Sequence, residues 1–198
     1  MIDEAVFSTR FGALWGILAP SMEHFVRSTN LDLYERYEAP IRADTESDVR
    51  AVVSEAAFLA VNQSLNTSKT ARRVAKSEAK KLLDAGYHRV VNLRGSTHLK
   101  DMHSDQNIDE LVQLAHSIER YLEIKHEITT IQCEPRFAGF GYLNACYGDY
   151  ASGSTYIEMK NVERNFRATD FRQIVTYLFL DWATGKPIYD NWVLLNAR

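Results

Sequence analysis

The stretch "GDYASGSTYIEMK" (148–160) decides how this chain is read. It holds an acid, Asp149, then the turn-rich "ASGS" (151–154), then a strand-like run ending in Glu158-Met159-Lys160. A Glu-x-Lys triplet alone carries little information. The chain has two more, Glu78-Ala79-Lys80 and Glu123-Ile124-Lys125. Geometry separates the copies. Residues two apart on a helix point about 200° from each other around the axis, so they cannot share a site. Residues two apart on a strand lie on one face. The first copy falls in the middle of a basic helix and the second at the end of an amphipathic one. The third falls in a predicted strand. There Tyr156, Glu158 and Lys160 point one way, while Ile157 and Met159 point the other way, into the core.

A hairpin turn at 151–154 sets the Asp149 side chain beside Glu158. Two carboxylates are the minimum for Mg²⁺, a hard ion that takes oxygen ligands and keeps several waters. Asp149, Glu158 and the backbone carbonyl of Met159 form the candidate metal set. Lys160 follows on the same face. An ammonium there is placed to position or help deprotonate a water and to stabilise negative charge forming on phosphorus. Gln173 and Tyr177 are i and i+4 on the next predicted helix and share a face. Arg164, Arg167 and Arg172 cluster in the connector and first turn of that helix, a set suited to a phosphodiester.

Outward from this stretch, residues 10–28 read as helical with a break at Pro20. "YEAPIRADTESD" (37–48) reads as a polar connector. Ser47 or Thr45 can cap a helix to about Asn62, with Val52, Ala56, Leu59 and Ala60 on one face. Residues 66–86 read as a second helix, capped by Thr67 or Ser68 and ended by Gly86. A short strand and a loop are expected over 87–103. Leu111, Leu114, Ala115, Ile118 and Leu122 recur at helical spacing and predict a helix to about Lys125. Then the period changes. Strands are expected over 127–135, 141–150 and 154–162. A helix follows over 169–183, with Thr169 as N-cap and Phe171, Ile174, Val175 and Leu178 as its apolar stripe. A last strand is expected over 186–196. The order from residue 106 is thus α-β-β-β-α-β. Residues 1–105 form a helical N-terminal region, and 106–198 a separate α/β core.

Composition fits an ordinary globular protein, with 45% hydrophobic and 25% charged residues. The net charge of −3 gives no overall nucleic-acid signature. Charge is uneven, however. Residues 67–100 carry nine basic side chains against two acidic ones, including Lys69, Arg72, Arg73 and Lys76. Such a block either attracts phosphates or serves as a solvated helix face. Cys133 and Cys146 have no metal-type spacing and read as reduced thiols of a cytoplasmic protein. "FGALWGILAPSM" (11–22) is too short to span a bilayer, and it follows acids rather than a basic n-region. It reads as a buried helix. No membrane association is expected.

Asp149, Glu158-x-Lys160 and Gln173-x-x-x-Tyr177 together resemble the PD-(D/E)XK nuclease superfamily, the restriction-endonuclease-like group. The Gln-x-x-x-Tyr element is similar to that of RecB-type exonucleases. The resemblance covers roughly residues 106–198. It implies an αβββαβ core and cleavage of nucleic-acid phosphodiesters that depends on Mg²⁺ or Mn²⁺. By position it implies metal ligation by Asp149 and Glu158, water activation by Lys160, and phosphate or nucleotide contact by Gln173 and Tyr177. It also implies an acid on the first core helix, for which Glu119 is the first candidate and Glu110 the second. DNA is expected rather than RNA. The setting implied is restriction, repair or anti-phage defence, with a homo-oligomer or an ATPase or other subunit as partner. Gly148 replaces the family's proline, a substitution expected to cost little. The two residues after the last predicted strand fit either a compact subunit or a piece of something longer. The alternative reading is a catalytically silent nuclease-like module kept for binding or assembly.

Overall fold

The computed structural model describes residues 1–32, 35, 41, 47–67, 69–94 and 101–198. Among these the protein is mixed α/β, with eight α-helices and a small mixed sheet. The chain divides into two compact units. The first joins Met1–Arg36 to Thr130–Asn196, and the second comprises Tyr37–Thr129 with Ala197–Arg198. The expected boundary after residue 105 is the edge of neither unit. The connector 37–48 and the caps Thr45 and Ser68 lie outside the described residues, apart from Ile41, Ser47 and Asp48.

Three helices open the first unit: α1 (Glu4–Arg10), α2 (Gly12–Leu18) and α3 (Met22–Asp32). Pro20 falls between α2 and α3, where a missing N–H does no harm. Trp15 is the one buried residue of α2, and its indole N–H donates to the Phe7 carbonyl. The expected buried helix over 11–22 is thus corrected, since Leu14, Ile17 and Leu18 are exposed.

The second unit contains α4 (Ser47–Leu65), α5 (Ala71–Ser77), α6 (Ala79–Arg94) and α7 (Asp105–Lys125). Helix α4 packs against the other three, so Val52, Val53, Ala56, Ala57, Ala60 and Val61 are all fully buried. One helix over 66–86 is corrected to two. Thr70 caps α5 by accepting from the Arg73 N–H, and the chain turns at Glu78. Gly86 does not end a helix. It lies inside α6, where a Cβ would sit 2.7 Å from the Val52 carbonyl oxygen and 3.0 Å from the Ala56 nitrogen. Its role is the close approach of two helix backbones. Because α6 runs on to Arg94, the strand expected after residue 87 is absent among the described residues. Ser104 caps α7, its side chain accepting from the Asn107 N–H. Among the described residues, no helix is long and apolar enough to cross a membrane.

A 3₁₀ turn (Ile128–Thr130), where the chain passes from the second unit to the first, leads into β1 (Ile131–Cys133) and β2 (Arg136–Phe137). Then follow β3 (Cys146–Tyr147), β4 (Tyr150–Ser152), β5 (Thr155–Lys160), α8 (Ala168–Trp182) and β6 (Asn191–Asn196). The strand expected over 141–150 is broken, because Phe140 and Leu143 close a tight turn around Gly141 (φ 59°). The register explains the pieces. Cys133 opposes Tyr150, and Arg136 opposes Tyr147. Between them the Glu134 N–H donates to the Asp149 carbonyl, and the Gly148 N–H to the Pro135 carbonyl. One long ribbon therefore runs over 131–137 and 146–152, interrupted where Pro135 lacks a donor and Glu134 takes φ 51°. Strands β4 and β5 form a second hairpin. Gly153 supplies the φ of 55° that a two-residue primed turn needs first. The sheet order is β1-β4-β5-β6, and β5 and β6 are parallel. Helix α8 joins them, as a parallel pair requires.

Helix α8 is rotated from its expected register. Thr176, Tyr177 and Leu180 are buried, whereas Leu178 is 41% exposed. Its N-cap is Arg167 rather than Thr169, and the Asp170 carboxylate accepts the Arg167 N–H. Tyr177 and Leu180 face a cluster with Phe137, Leu143, Ala151, Tyr156 and Tyr189. Those rings, more than the aliphatic residues, orient the helix.

Candidate active site

Strand parity and register assemble the centre. Tyr150 pairs with Ile157, so Asp149, one step before β4, stands opposite Glu158. The Asp149 Oδ2 accepts from the Met159 N–H at 2.7 Å. The N–H and C=O of one strand residue face the same edge, so the Met159 carbonyl also faces Asp149. Glu158 is 3% exposed. Its Oε1 accepts from Lys160 Nζ at 2.7 Å, and its Oε2 accepts from the Tyr156 hydroxyl. Lys160 Nζ donates also to Gln173 Oε1 at 2.6 Å, and Gln173 Nε2 donates to the Tyr177 hydroxyl at 3.1 Å. That hydroxyl lies 3.5 Å from the Tyr147 carbonyl. All five residues marked by the sequence pattern therefore lie in one region of the first unit.

Burial would lower the pKa of Lys160, but Glu158, with help from Asp149 and Asp170, outweighs it and holds the value above the ordinary range. Lys160 is thus an ammonium at neutral pH. Burial, and then the charge of Glu158, pushes the Tyr156 and Tyr177 hydroxyls upward, so both stay neutral donors.

The charge of Glu158 is also felt by a carboxylate outside this set. Glu4, the first residue of α1, has its pKa raised by burial and then, despite backbone hydrogen bonds, by the charge of Glu158. Glu4 and Glu158 also act together on Cys146, whose thiol burial and these two charges push to about 12. No local sequence signal marks Glu4. Its helix is separated in sequence from β1 by residues 37–129 of the second unit.

The donor set fits a hard divalent ion. Asp149, Glu158 and the Met159 carbonyl offer only oxygens, and the carboxylates outnumber the single ammonium. Each Glu158 oxygen receives one hydrogen bond and keeps a second lone pair. Among the described residues no three His, Cys, Asp or Glu side chains converge as a ready-made metal cage. Mg²⁺ needs no such cage, since one or two carboxylates with waters suffice.

The other expected residues are placed as follows. Arg164 grips Asp170 in a two-pronged pair at 2.7 and 3.0 Å. Arg172 lies 3.6 Å from Glu23, its side chain 15% exposed. Arg167 is the exposed member of the three. Lys69, Arg72, Arg73 and Lys76 are exposed on and before α5, in the second unit. Glu119 also belongs to that unit, where its Oε1 accepts from the Ala71 N–H at 2.6 Å and closes the start of α5. Glu110 is buried there against Arg198. Gly148 is not a neutral replacement for proline. A Cβ on it would lie 2.4 Å from the Tyr156 ring.

No protein-family model matches the chain, and neither does any curated protein or solved structure.

Proposed function

We propose that the protein is a divalent-metal-dependent nuclease whose first unit is a restriction-endonuclease-like core. One observation carries this reading. A continuous hydrogen-bond chain runs from Tyr156 through Glu158, Lys160 and Gln173 to Tyr177, beside Asp149. An ordinary surface ion pair needs no such support, and it contributes little to stability. Asp149, Glu158 and the Met159 carbonyl would hold Mg²⁺ or Mn²⁺. A bound divalent ion supplies Lewis-acid polarisation and a more acidic water.

The protein's own groups do the rest. Lys160 is placed to position the attacking water and to stabilise negative charge developing on the phosphate. Gln173 fixes Lys160 Nζ, and Tyr177 fixes Gln173. Tyr156 holds Glu158 in place through its hydroxyl. The exposed cations Arg167, Lys69, Arg72, Arg73 and Lys76 are candidates for backbone phosphates. DNA as substrate, a cytoplasmic defence or repair setting, and a partner subunit follow from the family resemblance.

The test is incubation with linear, circular and single-stranded DNA and with RNA, with Mg²⁺ or Mn²⁺ and with EDTA. Asp149→Ala and Lys160→Ala should each lower cleavage by about a hundredfold or more. Cleavage that persists in both variants refutes the site. No cleavage of any substrate favours the silent binding module.

A further inference from the structure

The ribbon that ends at Asp149 has two unlike faces. Arg136 and Tyr147 are directly opposed in register, so their side chains share a face. Phe137, on the other face, is 3% exposed and packs with Tyr156 and Tyr177, and Cys146 packs against the same cluster. The Arg136–Tyr147 face is open. Tyr147 is 63% exposed, and Arg136 has no ion pair among the described residues.

The loop between β2 and β3 adds two rings, Phe140 and Tyr142, at 52% and 83% exposure. It is well anchored. Phe140 and Leu143 exchange backbone hydrogen bonds at 3.1 and 3.0 Å. The Ile2 N–H donates to the Tyr142 carbonyl, the Asn144 N–H donates to the Ile2 carbonyl, and Asn144 Nδ2 donates to Asp3. Phe140 stands edge-on to Phe179 at 5.7 Å, so Tyr142 and Tyr147 are the open rings of this ribbon.

We infer that the Arg136–Tyr147 face is a stacking platform for unpaired nucleobases, which makes single-stranded nucleic acid the substrate class of the adjoining site. This rests on the nuclease reading above. Every base has a π-face, so aromatic stacking accepts any sequence, and a nearby guanidinium neutralises the backbone. Bases within a duplex are already stacked on each other and cannot use the platform. Tyr147 ends β3 and precedes Asp149 by two residues, with Gly148 and the bend at Asp149 between β3 and β4. A strand stacked on Tyr147 thus runs beside the chain segment that carries Asp149. Cation and ring together fit a strand of phosphates and bases, whereas a purely apolar partner has no use for Arg136.

The test separates binding from cleavage. Fluorescence anisotropy in EDTA measures binding of labelled single-stranded and duplex oligonucleotides of equal length. The proteins are the parent, Tyr147→Ala, Tyr147→Phe and Arg136→Ala, with thermal melts to check folding. The parent should prefer the single strand. Tyr147→Ala should weaken that binding about tenfold, Tyr147→Phe should retain it, and neither should change duplex binding. Arg136→Ala should flatten the salt dependence. Single-strand binding unchanged in both alanine variants overturns the platform, whatever the cleavage result. Binding as expected without cleavage in Mg²⁺ or Mn²⁺ upholds the platform and removes the nuclease reading.

Discussion

Gly148→Ala tests the link between packing and the acidic centre. The added methyl would lie 2.4 Å from both the Cε2 and the hydroxyl oxygen of Tyr156, and 2.7 Å from Cζ. A flexible side-chain tip would move aside. Tyr156 is fully buried, with the rings of Phe137, Tyr177, Tyr189 and Trp192 all within 5.9 Å of its own. Overpacking such a site costs about 1–3 kcal/mol. If the ring swings away to relieve it, Glu158 loses a hydrogen bond to a charged group, about 1.5–3 kcal/mol. Because the second cost replaces the first, the expected loss lies between about 1 and 3 kcal/mol. With a urea slope of about 2 kcal/mol/M, a loss of 2 kcal/mol lowers the midpoint by about 1 M. The assay is urea unfolding followed by near-UV circular dichroism, which reports the aromatic cluster, with cleavage measured in parallel. Gly16→Ala is the control. Nothing lies within 4 Å of its added methyl, and it should gain about 0.5–1 kcal/mol as a helix-interior replacement. A Gly148→Ala midpoint within about 0.2 M of the parent refutes the reasoning.

Gly86→Ala should also destabilise, by about 1–3 kcal/mol, because the methyl meets α4 backbone that cannot move aside. A gain in far-UV melting temperature would contradict that close approach. Asp170 supplies a pH test. Burial opposes its charge, but hydrogen bonds from Arg164 and Arg167 prevail and set its pKa below the ordinary 3.8. A depressed folded pKa gives stability that is complete above the unfolded value and lost as pH falls through the folded one. The stability gap between parent and Asp170→Asn should thus shrink below about pH 4; a gap that stays constant to pH 2 opposes this. Burial pushes the Cys133 and Cys146 thiols to about 11 and 12. At pH 8 their thiolate fractions are on the order of one in a thousand and one in ten thousand. Both should react with a thiol reagent far more slowly in the native protein than in denaturant, and rapid native labelling would contradict their burial.

The centre was legible where short-range periodicity governs. Two-residue parity put Glu158 and Lys160 on one face, the turn at Gly153 put Asp149 opposite Glu158, and four-residue spacing aligned Gln173 with Tyr177. What stayed hidden depends on tertiary neighbours. Gly86 reads as a helix stop until α4 is seen against it. The buried stripe of α8 is set by Tyr156 and Phe137 rather than by its aliphatic residues. Glu119 reads as a surface acid or a ligand, yet it closes α5. Glu4 was invisible because its helix belongs to a unit whose other half lies far along the chain.

That division has a consequence for synthesis. A ribosome finishes α1 before any residue of the sheet exists. The second unit is contiguous apart from Ala197 and Arg198, so its helices can find their neighbours early. Helix α1 has no surface to pack on until α8 has been made. The site is therefore completed late. A chain released before α8 carries most of a helical unit and an open acidic half-centre, with no Gln173 to hold Lys160.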